Sequence, residues 1–151
     1  MDLPGKFTKC QCDTCCENDC DLDISDLVSS LIVLDMNSVK IVLHQVGEIC
    51  DCGILWKEKN TIAAVELKGG TNTHIDKAVN QIQRGLDALE KVLNGQGVGT
   101  FLPVLIYNKR TPIPSLFTTR VRFRGNPRKV IAFPCGTRLS AIIKTLKPYA
   151  I

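Results

Sequence analysis

Apolar side chains Ile75, Ala78, Val79, Ile82, Leu86, Leu89 and Leu93 recur at intervals of three and four, the spacing that lines one face of a helix. Thr73, with Asp76 three residues on, resembles a capping box in which Asp replaces Glu or Gln. Asn94-Gly95-Gln96-Gly97 ends the pattern with glycines that suit a helix C-terminus. Upstream the pattern is that of strands. Residues 39–46 predict one strand, and residues 49–56 and 61–68, joined by the charged connector Lys57-Glu58-Lys59-Asn60, predict a hairpin. Before them, Ser25 offers a cap for a helix over residues 27–34, although the β-branched content of its second half also suits a strand; residues 35–38 read as a turn. Downstream, residues 101–107 read as a buried strand. A loop with Pro112 and Pro114 follows, then a basic stretch at 120–124, a strand at 129–133 and a closing helix at 137–146. This order describes an α/β protein with a mixed central β-sheet flanked by helices.

At 151 residues and 44% apolar content the chain fits one globular domain, large enough to bury roughly 68–70% of the surface that its unfolded form exposes. No run approaches the ~18 uninterrupted apolar residues of a membrane-spanning helix. The opening MDLPGKFTKC lacks the apolar middle of a secretory signal, so the expected location is intracellular and cytoplasmic. The net charge of +4 conceals a gradient: residues 1–50 carry 3 basic and 9 acidic side chains, residues 51–100 carry 6 of each, and residues 101–151 carry 10 basic and none acidic. Such a basic tail suits a polyanion, since each cation placed on a phosphate releases counterions. The alternative is that the basic end folds back on the acidic start.

Cysteines are equally uneven. Cys10, Cys12, Cys15, Cys16 and Cys20 crowd into eleven residues, followed by Cys50, Cys52 and Cys135. With an intracellular location expected, and with adjacent thiols pairing poorly, the cluster reads as a metal clip rather than a disulfide framework. Four thiolates suit a structural zinc, with Cys10, Cys12, Cys15 and Cys20 as the first set, Cys16 as a replacement for Cys15, and Cys50 or Cys52 as completing ligands. An iron–sulfur cluster and unligated thiols are the rivals. Residues 1–21 thus read as a cysteine-rich metal-binding segment ahead of an α/β domain at 22–151.

Two opposite charges interrupt the otherwise apolar strand Ala63-Ala64-Val65-Glu66-Leu67-Lys68-Gly69-Gly70. A buried charge must be paired or hold a metal. Glu66 and Lys68, two apart, share one face of a strand. Asp51 occupies the matching place in the preceding strand, so an antiparallel hairpin would set its carboxylate beside Glu66 and form a site for a hard cation.

These residues resemble the PD-(D/E)XK nuclease superfamily, the restriction-endonuclease-like fold with its αβββαβ core. The pattern of an Asp on one strand and Glu-x-Lys on the next reads here as Cys50-Asp51 and Val65-Glu66-Leu67-Lys68, and the resemblance spans about residues 39–93. It implies that Asp51 and Glu66, with the Leu67 carbonyl, bind Mg²⁺ or Mn²⁺. Lys68 would then orient or activate the attacking water and steady charge on the phosphate. In RecB-like and CRISPR-associated members a glutamine on the next helix faces the site; Gln81 fits, with Gln83 as a substitute. The pattern's proline before the Asp is replaced by Cys50. An additional acidic ligand, common in the superfamily, would be Asp26 or Glu48.

The implied activity is metal-dependent hydrolysis of phosphodiester bonds in DNA, with RNA as a further substrate class. Arg120, Arg122 and Arg124 alternate and in an extended segment would track one phosphate strand, flanked by Lys109, Arg110, Arg128 and Lys129. A homodimer or a larger nuclease complex fits such an enzyme. The rival readings are a non-catalytic nucleic-acid-binding scaffold of the same fold and a cysteine-based metal-delivery or redox module. His44 and His74 read as structural.

Overall fold

The computed structural model describes residues 1–70, 75–108, 120–144 and 147–151. Thr73, His74, Pro112 and Pro114, and the end of the closing helix at 145–146, lie outside the described residues. The chain is mixed α/β. Its main sheet has six strands, mixed in direction, with helices against it.

The N-terminal residues are built into this fold. Phe7 and Cys10 are fully buried in the main core, and β1 (Gln11–Cys12) pairs antiparallel with β4 (Ile32–Asp35). Between them, β2 (Cys15–Glu17) and β3 (Cys20–Leu22) form a separate two-stranded hairpin. A segment too polar for a core of its own thus borrows the core of the domain.

Residues 36–43 correct the sequence reading. Instead of a turn and a strand they form the helix α1 (Met36–Leu43). Only Met36 and Val39, three apart, are buried, while Ile41 and Val46 stand in solvent. A buried strand would need every second side chain inside. Ser38 donates its hydroxyl to Asp35 Oδ2 at 2.7 Å across the first turn, and His44, in the left-handed region at φ 53°, ends the helix. The β-branched Val39, Ile41 and Val42 favour a strand locally, but tertiary packing overrides that preference.

The central hairpin forms from β5 (Cys52–Trp56) and β6 (Thr61–Lys68), joined through Asn60 at φ 48°, a conformation that Asn tolerates. All of β5 and nearly all of β6 are buried, which explains their continuous apolar runs. A parallel neighbour needs a long crossover. The helix α2 (Ile75–Leu93) supplies it and returns the chain to β7 (Thr100–Tyr107), parallel to β6. Next come β8 (Arg120–Phe123) and β9 (Asn126–Lys129), a small hairpin against α2. Its turn at Arg124 and Gly125 has φ of 50° and 78°, as a two-residue hairpin turn with both residues left-handed requires. The strand expected at 129–133 is therefore divided, for β10 (Ile131–Pro134) leaves the hairpin and joins β7 in parallel. Finally come α3 (Leu139–Ile143), which begins two residues after the start of the helix expected over 137–146, and a 3-10 turn at Lys147–Tyr149. The strand order is β1-β4-β5-β6-β7-β10.

Alternation divides the core into two. Ile62 and Ala64 of β6 pack with Ile82, Leu86 and Leu89 of α2, whereas Ala63, Val65 and Leu67 face Cys15, Cys20 and Leu22 of the small hairpin. Two disulfides fix that second layer: Cys15–Cys52 and Cys20–Cys135. Of the five crowded cysteines, Cys15 and Cys20 pair not with each other but with partners that only the fold brings near, which spacing cannot reveal; Cys10, Cys12 and Cys16 are free thiols. Their sequence separations are 37 and 115 residues, for which the chain-entropy treatment gives about 4 and about 5 kcal/mol. Disulfides belong to oxidising surroundings, so they lend no support to the cytoplasmic expectation. Among the described residues no helix is long and apolar enough to cross a membrane.

Close packing of α2 on β6 depends on Gly85, where an added Cβ would lie 2.2 Å from Cys50 Sγ and 3.3 Å from Ala64 Cβ. Gly85→Ala should therefore lower stability by about 1–3 kcal/mol despite the better helix propensity of alanine. Adding Cys50→Ala should recover most of the loss in urea denaturation.

Candidate active site

Asp51 stands immediately before β5. Since Cys52 pairs with Val65, the antiparallel register sets Asp51 opposite Glu66. Its backbone carbonyl accepts from Met36 N at 3.2 Å and its Oδ2 accepts from Leu67 N at 2.7 Å. The start of α1 and the end of β6 thus both hold this residue.

Glu66 and Lys68 continue the row of Ile62 and Ala64, on the side of the sheet that carries α2. Glu66 is 1% exposed, and its Oε2 lies 3.2 Å from Lys68 Nζ without accepting a well-aligned hydrogen bond. Burial, then a hydrogen bond with Asp51 and the charge of Asp51, push the Glu66 carboxyl up to about 9; the ammonium of Lys68 offsets only part of this. A carboxyl raised this far favours its protonated form at neutral pH. The paired acids and their lysine occupy the end of the sheet where β6 meets Tyr107 of β7.

Gln81 is buried on α2. Its backbone carbonyl accepts from Cys50 N at 3.0 Å and its Nε2 reaches the Ile49 carbonyl at 3.5 Å, while Oε1 has no hydrogen-bond partner. Gln83 turns elsewhere: its amide donates to Arg122 O at 2.9 Å and accepts from Arg122 N at 2.8 Å, and so holds the β8–β9 hairpin to α2. Of the residues considered for an additional acid, Glu48 is exposed and ion-paired with Lys77 at 3.0 Å, and Asp26 is exposed in a turn.

Two other carboxylates approach instead. The charge of Asp51, then burial and hydrogen bonding toward Asp51, raise the Glu17 carboxyl above its ordinary value. Asp35, which begins α1, lines the same cavity of about 250 Å³ with Glu17 and Asp51. Neither has a local signature: Glu17 is one acid among many in a polar segment, and its role as a neighbour of Asp51 arises from the tertiary docking of a hairpin.

The cysteines do not assemble as the zinc reading expects. Cys15 and Cys20 spend their sulfurs in disulfides; Cys10 is buried, Cys12 half-buried and Cys16 exposed. Cys52 is bonded to Cys15, and Cys50 is a fully buried thiol that burial pushes well above its usual range. Among the described residues no three His, Cys, Asp or Glu side chains close around a point fit for an ion.

The basic residues also separate. Arg120 and Arg122 are exposed on β8. Arg124 departs from the row because it sits in the turn, where its guanidinium grips Glu90 through Nε at 2.6 Å and Nη2 at 3.0 Å. Arg128 donates to the carbonyls of Pro127 and Ala150. Lys109 and Arg110 lie outside the described residues. The basic end does fold back on the acidic start: Asp23 N donates to Thr137 O, Leu139 N donates to Asp23 O, and Arg138 lies 3.8 Å from the Asp23 carboxylate.

Compared with protein-family models, with curated proteins and with solved structures, the chain finds no match.

The state of Glu66 sets a pH dependence. With its folded pKa near 9 against an ordinary 4.5, the folded chain keeps a proton that the unfolded chain releases, so stability falls as pH rises across that window. In EDTA, denaturation midpoints should decline between pH 5 and 9. Glu66→Gln should flatten the decline and stabilise the protein at pH 8–9 by about 1–3 kcal/mol. A steeper decline in that variant would refute the assignment.

Proposed function

We propose that this chain is a metal-dependent nuclease that hydrolyses phosphodiester bonds in DNA, built on a restriction-endonuclease-like core. The observation that carries the reading is the meeting of Asp51, Glu66 and Lys68 at one end of the central hairpin, where Glu66 is buried and Asp51 is pinned against Leu67. A structural protein gains little from a buried acid set beside a second, half-buried one.

The donor set fits Mg²⁺ or Mn²⁺, since hard cations take carboxylate oxygens and keep part of their water shell. Asp51 and Glu66 would hold the ion, and the Leu67 carbonyl belongs to the same proposed set. When bound, such a cation neutralises developing phosphate charge and lowers the pKa of water. Lys68 orients the attacking water and steadies negative charge on the phosphate oxygens. Water oxygen bonds to phosphorus, the bond to the departing sugar oxygen breaks, and the proton lost by the water is balanced by one gained at the leaving group. Gln81, with a buried unpartnered oxygen, is the positioning residue on the α2 side. Arg120 and Arg122 hold the phosphate strand without reading sequence.

The test is cleavage of linear, circular, single-stranded and branched DNA, with RNA in parallel, in Mg²⁺ or Mn²⁺. Glu66→Ala and Lys68→Ala should each reduce cutting by at least ~10²-fold at matched folding. Folded wild type that binds DNA but cuts none of these substrates would overturn the enzyme reading in favour of the nucleic-acid-binding scaffold.

A further inference from the structure

The hairpin of β2 and β3 has three residues in each strand, too little for independent stability. It packs on the face of the sheet away from α2, yet Glu17 lines one cavity with Asp51. Both of its covalent anchors lie close to that point. Cys15 is bonded to Cys52, the neighbour of Asp51, and Cys20, the register partner of Glu17, is bonded to Cys135. Cys135 N in turn donates to the carbonyl of Tyr107, the register partner of Lys68.

The cavity between hairpin and sheet end, about 250 Å³, is lined by Glu17, Asp35, Asn37 and Asp51 together with Cys12 and Cys16. At ~30 Å³ for each water, it has room for a hydrated cation. Glu17, Asp35, Asp51 and Glu66 give this end of the sheet four carboxyl groups, with Lys68 the cation paired to Glu66. Glu66 Oε2, deeply buried, still accepts no hydrogen bond. Among the described residues this end of the sheet is thus short of positive charge, and the acid opposite Asp51 keeps an unfilled oxygen.

We propose that Glu17 is a third carboxylate of the cation site, acting on the water shell of a divalent ion at Asp51 and Glu66, and that the Cys15–Cys52 and Cys20–Cys135 disulfides hold it there. The inference rests on the cation-dependent reading above. It makes cation binding sensitive to reduction. A phosphine reductant takes oxygen from water to become a phosphine oxide, and each disulfide gains two electrons and two protons to become two thiols. The hairpin then loses its anchors and Glu17 leaves Asp51.

Mn²⁺ binding to the full chain, followed by the paramagnetic resonance of the free ion, tests this without recourse to activity. Oxidised wild type and Glu17→Gln are titrated before and after treatment with the phosphine and its removal, and circular dichroism verifies folding. Glu17→Gln should weaken Mn²⁺ binding by about tenfold or more, and Glu17→Asp should retain most of the affinity. Reduction should weaken wild type comparably and leave Glu17→Gln unchanged. Unaltered affinity in oxidised Glu17→Gln overturns the proposal, as does an equal effect of reduction on both proteins. Should the reduced chain unfold, the oxidised comparison still decides. Glu66→Gln separates the two readings: if it abolishes binding while Glu17→Gln does not weaken it, the cation site stands and Glu17 is excluded. Oxidised wild type that binds no Mn²⁺ refutes both.

Discussion

The antiparallel register of β5 and β6 is the constraint on which the rest of this end of the molecule depends. With Cys52 opposite Val65, Asp51 must face Glu66, and the 2.7 Å bond from Leu67 N to Asp51 Oδ2 locks that relation. A slip of one residue would turn Glu66 and Lys68 to the other face, among Val65 and Leu67. The register is secured from outside by α2, whose Gly85 lets the helix settle against Cys50 and Ala64, and by α1, whose first N–H is taken by the Asp51 carbonyl.

Stability is given up at this point for chemical potential. Glu66 is held where its charged form is unfavourable, beside a second acid and within reach of one lysine. Elsewhere polar groups find ordinary structural uses: Gln83 completes the edge of β8, and Arg124 binds Glu90. Single buried atoms without a partner also occur at Gln45, Trp56 and Arg128 as well as at Gln81, but at Glu66 the unpartnered oxygen belongs to an acid set beside a second acid and a lysine.

Elements with strong periodicity were legible from the chain. The α2 face, the hairpin of β5 and β6, and the two charges in an apolar strand each rest on spacing within a short window, and so does the expectation that Asp51 faces Glu66. What escaped was long-range. The stretch around Val39 and Ile41 has strand composition but is folded as a helix, because only Met36 and Val39 find a core to enter. Glu17 and the partners of Cys15 and Cys20 depend on a hairpin docking across the sheet, for which no local pattern exists. Arg124 was misjudged for a smaller reason: the following Gly125 makes a left-handed turn there, so the alternation stops one residue early.

The Cys20–Cys135 bond spans 115 residues, and Asp21 and Asp23 are stitched by backbone bonds to Gly136, Thr137 and Leu139. The layer bearing Glu17 is therefore placed by strand-end residues that are synthesised more than a hundred positions later. During synthesis Asp51, just before β5, and Glu66 of β6 can meet long before that layer has anything to rest on. Assembly of this corner is a report on the whole chain: a molecule that stops before β10, or fails to dock it, has the central hairpin without its cover.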